Sequence, residues 1–151
     1  MITIDELKVQ LDYKSRLLGI DMGSKRVGVS ICDENRKIAT PFQTIKFTNI
    51  KNLCFRFNEI ILENDVKGII FGLPLNMDGS DGPSTQSVKD KVKLISEELA
   101  IPSIFWDERL STVGSFNLSS QLDVNVSKRV KNIDQNSAAF ILQGVLDYLA
   151  K

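Results

Sequence analysis

Four carboxylates stand where an apolar run stops or a helix opens: Asp21, the adjacent Asp107 and Glu108, and Asp134. Asp21 closes "RLLGID" and leads into a turn through Gly23-Ser24-Lys25-Arg26. Asp107 and Glu108 close "IPSIFW", and Asp134 opens a stretch whose positions 138, 141, 145 and 149 are Ala, Ile, Val and Leu. Ligands of open α/β sheets gather beyond the carboxyl ends of the strands, so these acids can converge although they lie far apart along the chain. Two carboxylates about 4 Å apart repel by about 4 kcal/mol at an effective dielectric near 20. A shared proton or an intervening cation relieves that repulsion. Ligands that are all oxygen suit Mg²⁺ or Mn²⁺, not zinc. Such an ion binds a phosphate oxygen, acidifies its water and stabilises a leaving oxygen, which is the chemistry of phosphodiester hydrolysis.

What is missing narrows the field further. The chain has no histidine. That excludes Ser-His-Asp and Cys-His nucleophile systems, imidazole acid–base chemistry and His-ligated zinc. Cys32 and Cys54 are isolated, with no CxxC pair, so neither a structural zinc site nor a disulfide framework is expected, in keeping with a reducing compartment. No run is long and apolar enough to span a bilayer, and "MITIDELKVQ" has no basic region followed by an apolar one. The expected location is the cytoplasm, with no membrane partner. The net charge is zero, so a nucleic-acid partner requires a locally segregated basic surface.

The elements that must position the acids can be read from periodicity. At 151 residues the chain suits one domain, 1–151, with 1–15 as an N-terminal extension in which "DELKVQL" suggests a short helix. Residues 17–22 read as a strand buried on both faces, and "RVGVSIC" alternates, which makes 16–33 a β-hairpin. "DENRK" is a second turn before a third strand, "IATPFQTIKF", where Pro41 implies an edge position or a bulge. Ile50, Leu53, Cys54, Phe57, Ile60 and Ile61 form one helical stripe, and "VKGIIFGLP" is a short strand. After the turn-rich "NMDGSDGPS", with Asp81 or Ser84 as a cap, a helix carries Val88, Val92, Ile95 and Leu99. "IPSIFW" is the fifth strand, 111–122 is weakly helical, 123–132 reads as a mobile basic loop, and the last helix runs from about Asp134 to Leu149. The order β-β-β-α-β-α-β-α implies an α/β fold: a five-stranded mixed sheet with helices on both faces.

Simpler readings of the acids stand beside the catalytic one. Asp134 suits a helix N-cap. Asp107-Glu108-Arg109 suits a solvated charge cluster. Asp21 at the end of a doubly buried strand needs a partner, which Lys25 or Arg26 can supply.

The segments "GIDMGSKRVGVS", "FGLPLNMDGSDGP", "WDERLST" and "IDQNSAAFILQGVLDYL" resemble, in this order, the four signatures of the YqgF/RuvX family. These are RNase H-like proteins similar to Holliday-junction resolvases, with members implicated in maturing the 5′ end of 16S rRNA. The resemblance spans residues 16–149. It implies an RNase H-like fold and a metal-binding catalytic set of Asp21, an acid of the Asp107-Glu108-Arg109 triplet, and Asp134. Asp107 and Glu108 both stand as catalytic candidates beside Asp21 and Asp134; alternation lets only one of the two face inward, the motif leaves open which, and Glu108 is taken as the metal ligand. "STVGSFNLSS" departs from the family's Ala-rich helix.

Six basic residues flank the acids: Lys25, Arg26, Arg109, Lys128, Arg129 and Lys131. Individually they suit solvated surface; as a set they resemble a rim that grips phosphates. Six phosphate contacts would give a log–log salt slope of about −5. Aromatic content of 7% leaves little for base stacking, and Phe105 and Trp106 read as core, so recognition of backbone shape is expected. The expected partner is precursor rRNA, with structured DNA as the alternative, ribosome association in keeping with it, and a monomer or weak dimer because no dimer seam is evident. Rival readings are a resolvase of branched DNA, a non-catalytic nucleic-acid- or ribosome-binding module, and a sugar-kinase or actin-type nucleotide fold suggested by "DMGS". That last fold needs a second domain, for which 151 residues leave no room.

Overall fold

The computed structural model describes residues 1–12, 14–74, 82–107 and 126–150, with 126–135 described by backbone alone. The first hairpin forms as its sequence implies. β1 (Arg16–Met22) turns back through Gly23–Lys25 into β2 (Arg26–Cys32), closed by the Gly23 amide donating to the Arg26 carbonyl at 3.0 Å. The Asp33–Lys37 turn leads to β3 (Ala39–Lys46); there the Asp33 carboxylate accepts from the Lys37 and Ile38 amides at 2.8 and 2.9 Å. These two bonds hold its pKa below the usual carboxylate range, so Asp33 is an acid with a structural task. β3 is an edge strand, and its register against β2 slips between Val29 and Ser30, passing from Gln43 to Pro41. The bulge expected from Pro41 falls there.

The helix–strand alternation follows. α2 (Ile50–Asn64), capped by Asn49, precedes β4 (Val66–Leu73); α3 (Pro83–Glu98) precedes β5 (Ser103–Asp107). The sheet order is β3-β2-β1-β4-β5, antiparallel across β3, β2 and β1 and parallel from β1 to β5. α3 starts on Gly82 and Pro83 with no side-chain cap, so Ser84 does not fill that role, and Asp81 lies outside the described residues. Proline at the first helical position fixes φ and lacks only an amide that would be unpaired anyway.

Two cores divide the sheet. Leu18, Ile20, Met22, Val27, Val29, Ile69 and Phe71 pack under α2 and α3. On the other face Leu17, Cys32, Ile70 and Ile104 meet the last helix, α4 (Val126–Leu149), through Ile141, Leu142, Val145 and Leu146. The leading segment joins this second core: α1 (Ile4–Gln10), opened by a Thr3–Glu6 capping box, buries Leu7 completely. Phe105 and Trp106 pack against the first and second cores respectively, as expected of core aromatics.

α4 corrects the expected boundary. It begins at Val126, not near Asp134, so Lys128, Arg129 and Lys131 are helical instead of lying in a loop. Asp134 is eight residues inside the helix, more than two turns, and is no N-cap. The segment 126–133 contains neither Pro nor Gly, and Val126, Val130 and Ile133 continue the helical period; its polar composition masked that signal. The weak helix expected over 111–122 lies outside the described residues. Among the described residues no helix is long and apolar enough to cross a membrane.

Candidate functional site

The site is assembled by the way α4 lies on β1. Leu17, Gly19 and Asp21 share the α4 face of β1 by strand alternation. α4 comes close to β1 at Gly19. A Cβ there would stand 2.6 Å from Leu142 Cβ and 2.7 Å from the Ala138 carbonyl oxygen. Beside it the buried Ser30 hydroxyl donates to that same carbonyl at 2.7 Å. Further along, Gly144 lets the helix pass over Trp106, whose indole would clash with any side chain. Small residues, not bulky ones, therefore set the seam.

The direction of α4 follows from its later turns. Gln143 accepts from the Ala39 amide at 2.8 Å and donates to the Lys37 carbonyl at 3.0 Å, beside the β2–β3 turn. Arg36 of that turn donates to the Ser15 carbonyl, just before β1. The C-terminal end of α4 thus lies by the start of β1, and the helix runs antiparallel to it. From the Gly19–Ala138 contact, Asp21 is two residues (about 7 Å) toward the carboxyl end of β1. Asp134 is one turn (about 6 Å) back along α4, in the same direction. The backbone brings these two positions to one end of one sheet face.

The remaining acids are divided. β4–β5 pairing sets Leu73 against Asp107, and β1–β4 pairing sets Ile20 against Phe71, so Asp21 and Asp107 end strands two places apart, about 10 Å. Ile104 and Trp106 point to the α4 core and Phe105 to the other, so Asp107 has the parity of the face away from Asp21. Glu108 and Arg109 lie outside the described residues. Among the described residues no three His, Cys, Asp or Glu side chains cluster as a metal would require. Of the four named acids, Asp21 and Asp107 alone have described side chains.

Lys25 and Arg26 are exposed on the β1–β2 turn, at the end of the sheet where Asp21 sits. The α4 turns bearing Lys128, Arg129 and Lys131 are directed to that end as well. Both cysteines are buried, and burial pushes their thiols up, which leaves neither as a nucleophile.

A cavity of about 440 Å³ opens at the carboxyl edge of the sheet, between the β1–β2 turn and α3. Asp21, Ser24, Ser84, Ser87 and Lys91 are among its lining residues. Sequence reasoning passed over the α3 contribution. Its signal is the spacing of 84, 87 and 91, one polar helical stripe beside the apolar stripe of Val88, Val92 and Ile95.

A mixed five-stranded sheet in this order, with helices on both faces and an acid at the end of its first strand, defines the RNase H-like architecture of RuvC-type resolvases. The Thermus thermophilus RuvC in complex with a Holliday-junction substrate superposes with TM-score 0.55 at 10% identity, covering 89% of this chain and 93% of that one. The yeast mitochondrial Holliday-junction resolvase Ydc2 gives 0.52 at 14%, covering 97% and 84%. Those likenesses establish the fold. A family model described as RuvX, Holliday junction resolvase, matches residues 15–148, and the chain belongs to that family. A relative from Pelagibacter ubique, provisionally named pre-16S rRNA nuclease, is 60% identical over 149 residues, 99% of each chain. Another of that provisional name, from Agrobacterium fabrum, is 40% identical over 99% of this chain and 94% of its own.

Proposed function

We propose that this chain is a divalent-metal-dependent nuclease that hydrolyses phosphodiester bonds in the 5′-end processing of precursor 16S rRNA. It would work in the cytoplasm, as a monomer or weak dimer, on a substrate in the assembling ribosome. The observation that carries the reading is the Gly19–Ser30–Ala138 seam, which sends Asp21 and Asp134 to one end of one sheet face. The provisional names of the relatives supply the substrate.

The donor set fits a hard cation. The chain offers carboxylate oxygens, no imidazole, and two thiols that are buried. Asp21, Glu108 and Asp134 would hold Mg²⁺ or Mn²⁺. Glu108 is preferred to Asp107 because Asp107 has the parity of the opposite face. Bound there, the ion would supply a Lewis acid and a more acidic water. The chain itself contributes position and charge. Lys25, Arg26, Arg109, Lys128, Arg129 and Lys131 neutralise flanking phosphates and fix the backbone of the nucleic acid against the acids. Water then attacks phosphorus in line; one P–O bond forms, the opposite one breaks, and no enzyme-linked intermediate arises.

The test is cleavage of a precursor 16S rRNA fragment in Mg²⁺ and in Mn²⁺ by the wild type, Asp21→Asn and Asp134→Asn. Each variant is expected to lose roughly 100-fold or more, and chelation is expected to silence the wild type. Undiminished cleavage by both variants would sink the proposal and favour a binding module. A second reading, resolution of branched DNA, is favoured by the family description. Faster cutting of a four-way DNA junction than of the rRNA fragment would select it.

A further inference from the structure

The cavity beside Asp21 contains a cation that the six flanking basic residues do not include. Lys91 lines it together with Asp21, Ser24, Ser84 and Ser87. Its ammonium is held 4.6 Å from the centre of the Phe47 ring. Phe47 is itself fixed: its side chain packs on the α2/α3 core, and its amide donates to the Lys25 carbonyl at 2.9 Å. Cation–π attraction at this distance restrains a side chain that would otherwise sample many rotamers. Lys91 is half-buried, and it forms no ion pair among the described residues. A positive charge is thus pinned in an open, hydroxyl-lined hollow that also reaches an acid, and no carboxylate among the described residues lies within 4 Å to neutralise it.

We propose that Lys91 binds a backbone phosphate of the nucleic acid adjoining the one cleaved at Asp21, with the cavity as that phosphate's seat. The inference rests on the nuclease reading for the identity of the ligand, and it extends the grip to the α3 side of the sheet edge. The substrate strand would then be held from two directions, by the β1–β2 turn and α4 on one side and by α3 on the other. A phosphodiester suits the hollow because it presents acceptor oxygens to an ammonium and to serine hydroxyls at once.

The experiment measures affinity for a labelled RNA hairpin carrying the 5′ flank of 16S rRNA, in EDTA, across a series of salt concentrations. Lys91→Gln is compared with Lys91→Arg and with Lys93→Gln, which removes a charge from the same helix outside the cavity. Lys91→Gln is expected to bind roughly five- to tenfold more weakly at 0.1 M salt and to flatten the log–log slope by about 0.7 to 0.9. Lys91→Arg is expected to restore the slope, and Lys93→Gln to leave it unchanged. Cleavage by Lys91→Gln should show a raised KM with kcat little altered. A purely structural role would lower the unfolding temperature and leave the slope alone. An unchanged slope in Lys91→Gln, or an equal change in Lys93→Gln, overturns the assignment while leaving the nuclease reading intact. Wild-type RNA binding without cleavage overturns the nuclease reading and still lets the Lys91 comparison be read. Failure of the wild type to bind the hairpin removes the Lys91 proposal outright.

Discussion

The two faces of β1 carry different residues for different ends. Toward α2 and α3 it presents Leu18, Ile20 and Met22, each a large side chain in a packed core. Toward α4 it presents Leu17, then Gly19, then Asp21, so that bulk gives way to nothing and then to charge. The first face stabilises the fold through buried area. The second gives up area at Gly19 so that a helix can approach closely, and that approach fixes where Asp134 falls relative to Asp21. Where large side chains meet, small errors are absorbed by rotamers. Where backbone meets backbone, the spacing is set by atoms that cannot move aside.

Substitutions on the two faces should therefore fail in different ways. Phe57→Ala, in the α2/α3 core, is expected to destabilise the protein by about 3–5 kcal/mol in denaturant titration. Cleavage per folded molecule should stay close to wild type, and a large loss in molecules that remain folded would break the comparison. Gly19→Ala should cost less stability, about 1–3 kcal/mol, because the added methyl meets Leu142 and the Ala138 carbonyl. It should nevertheless reduce cleavage by about 100-fold, since a displacement of about 1 Å in α4 shifts Asp134 against Asp21. Retained cleavage there would show that the seam does not set the site. Ser30→Ala removes the hydroxyl tie to Ala138 and should cost about 1 kcal/mol, with a smaller loss of cleavage than Gly19→Ala. An effect on stability alone would confine Ser30 to packing.

The same contrast separates acids that look alike along the chain. Asp33 sits in a turn and accepts two backbone amides, which accounts for its presence there without reference to a ligand. Asp134 loses its simplest explanation, because a residue more than two turns inside α4 caps nothing.

Several features were fixed by short-range rules and are legible without coordinates. Gly23 and the alternation after it specify the first hairpin, Pro41 specifies an edge strand with a bulge, and the stripes of α2 and α3 specify one buried face each. The absence of histidine and the isolation of both cysteines leave carboxylates, hydroxyls, Lys and Arg as the groups that could do chemistry. Other features depend on contacts between segments distant along the chain. The start of α4 was hidden because a polar helical turn and a polar loop have similar composition. Neither the antiparallel run of α4 over Gly19 nor the meeting of Lys91 with Phe47 leaves a local periodic signal; each depends on which surfaces fit once the sheet has formed. Composition and periodicity thus set which groups stand near the ends of β1 and β5 and which stripes are buried, and only close packing of distant small residues decided where the interior of α4 meets β1.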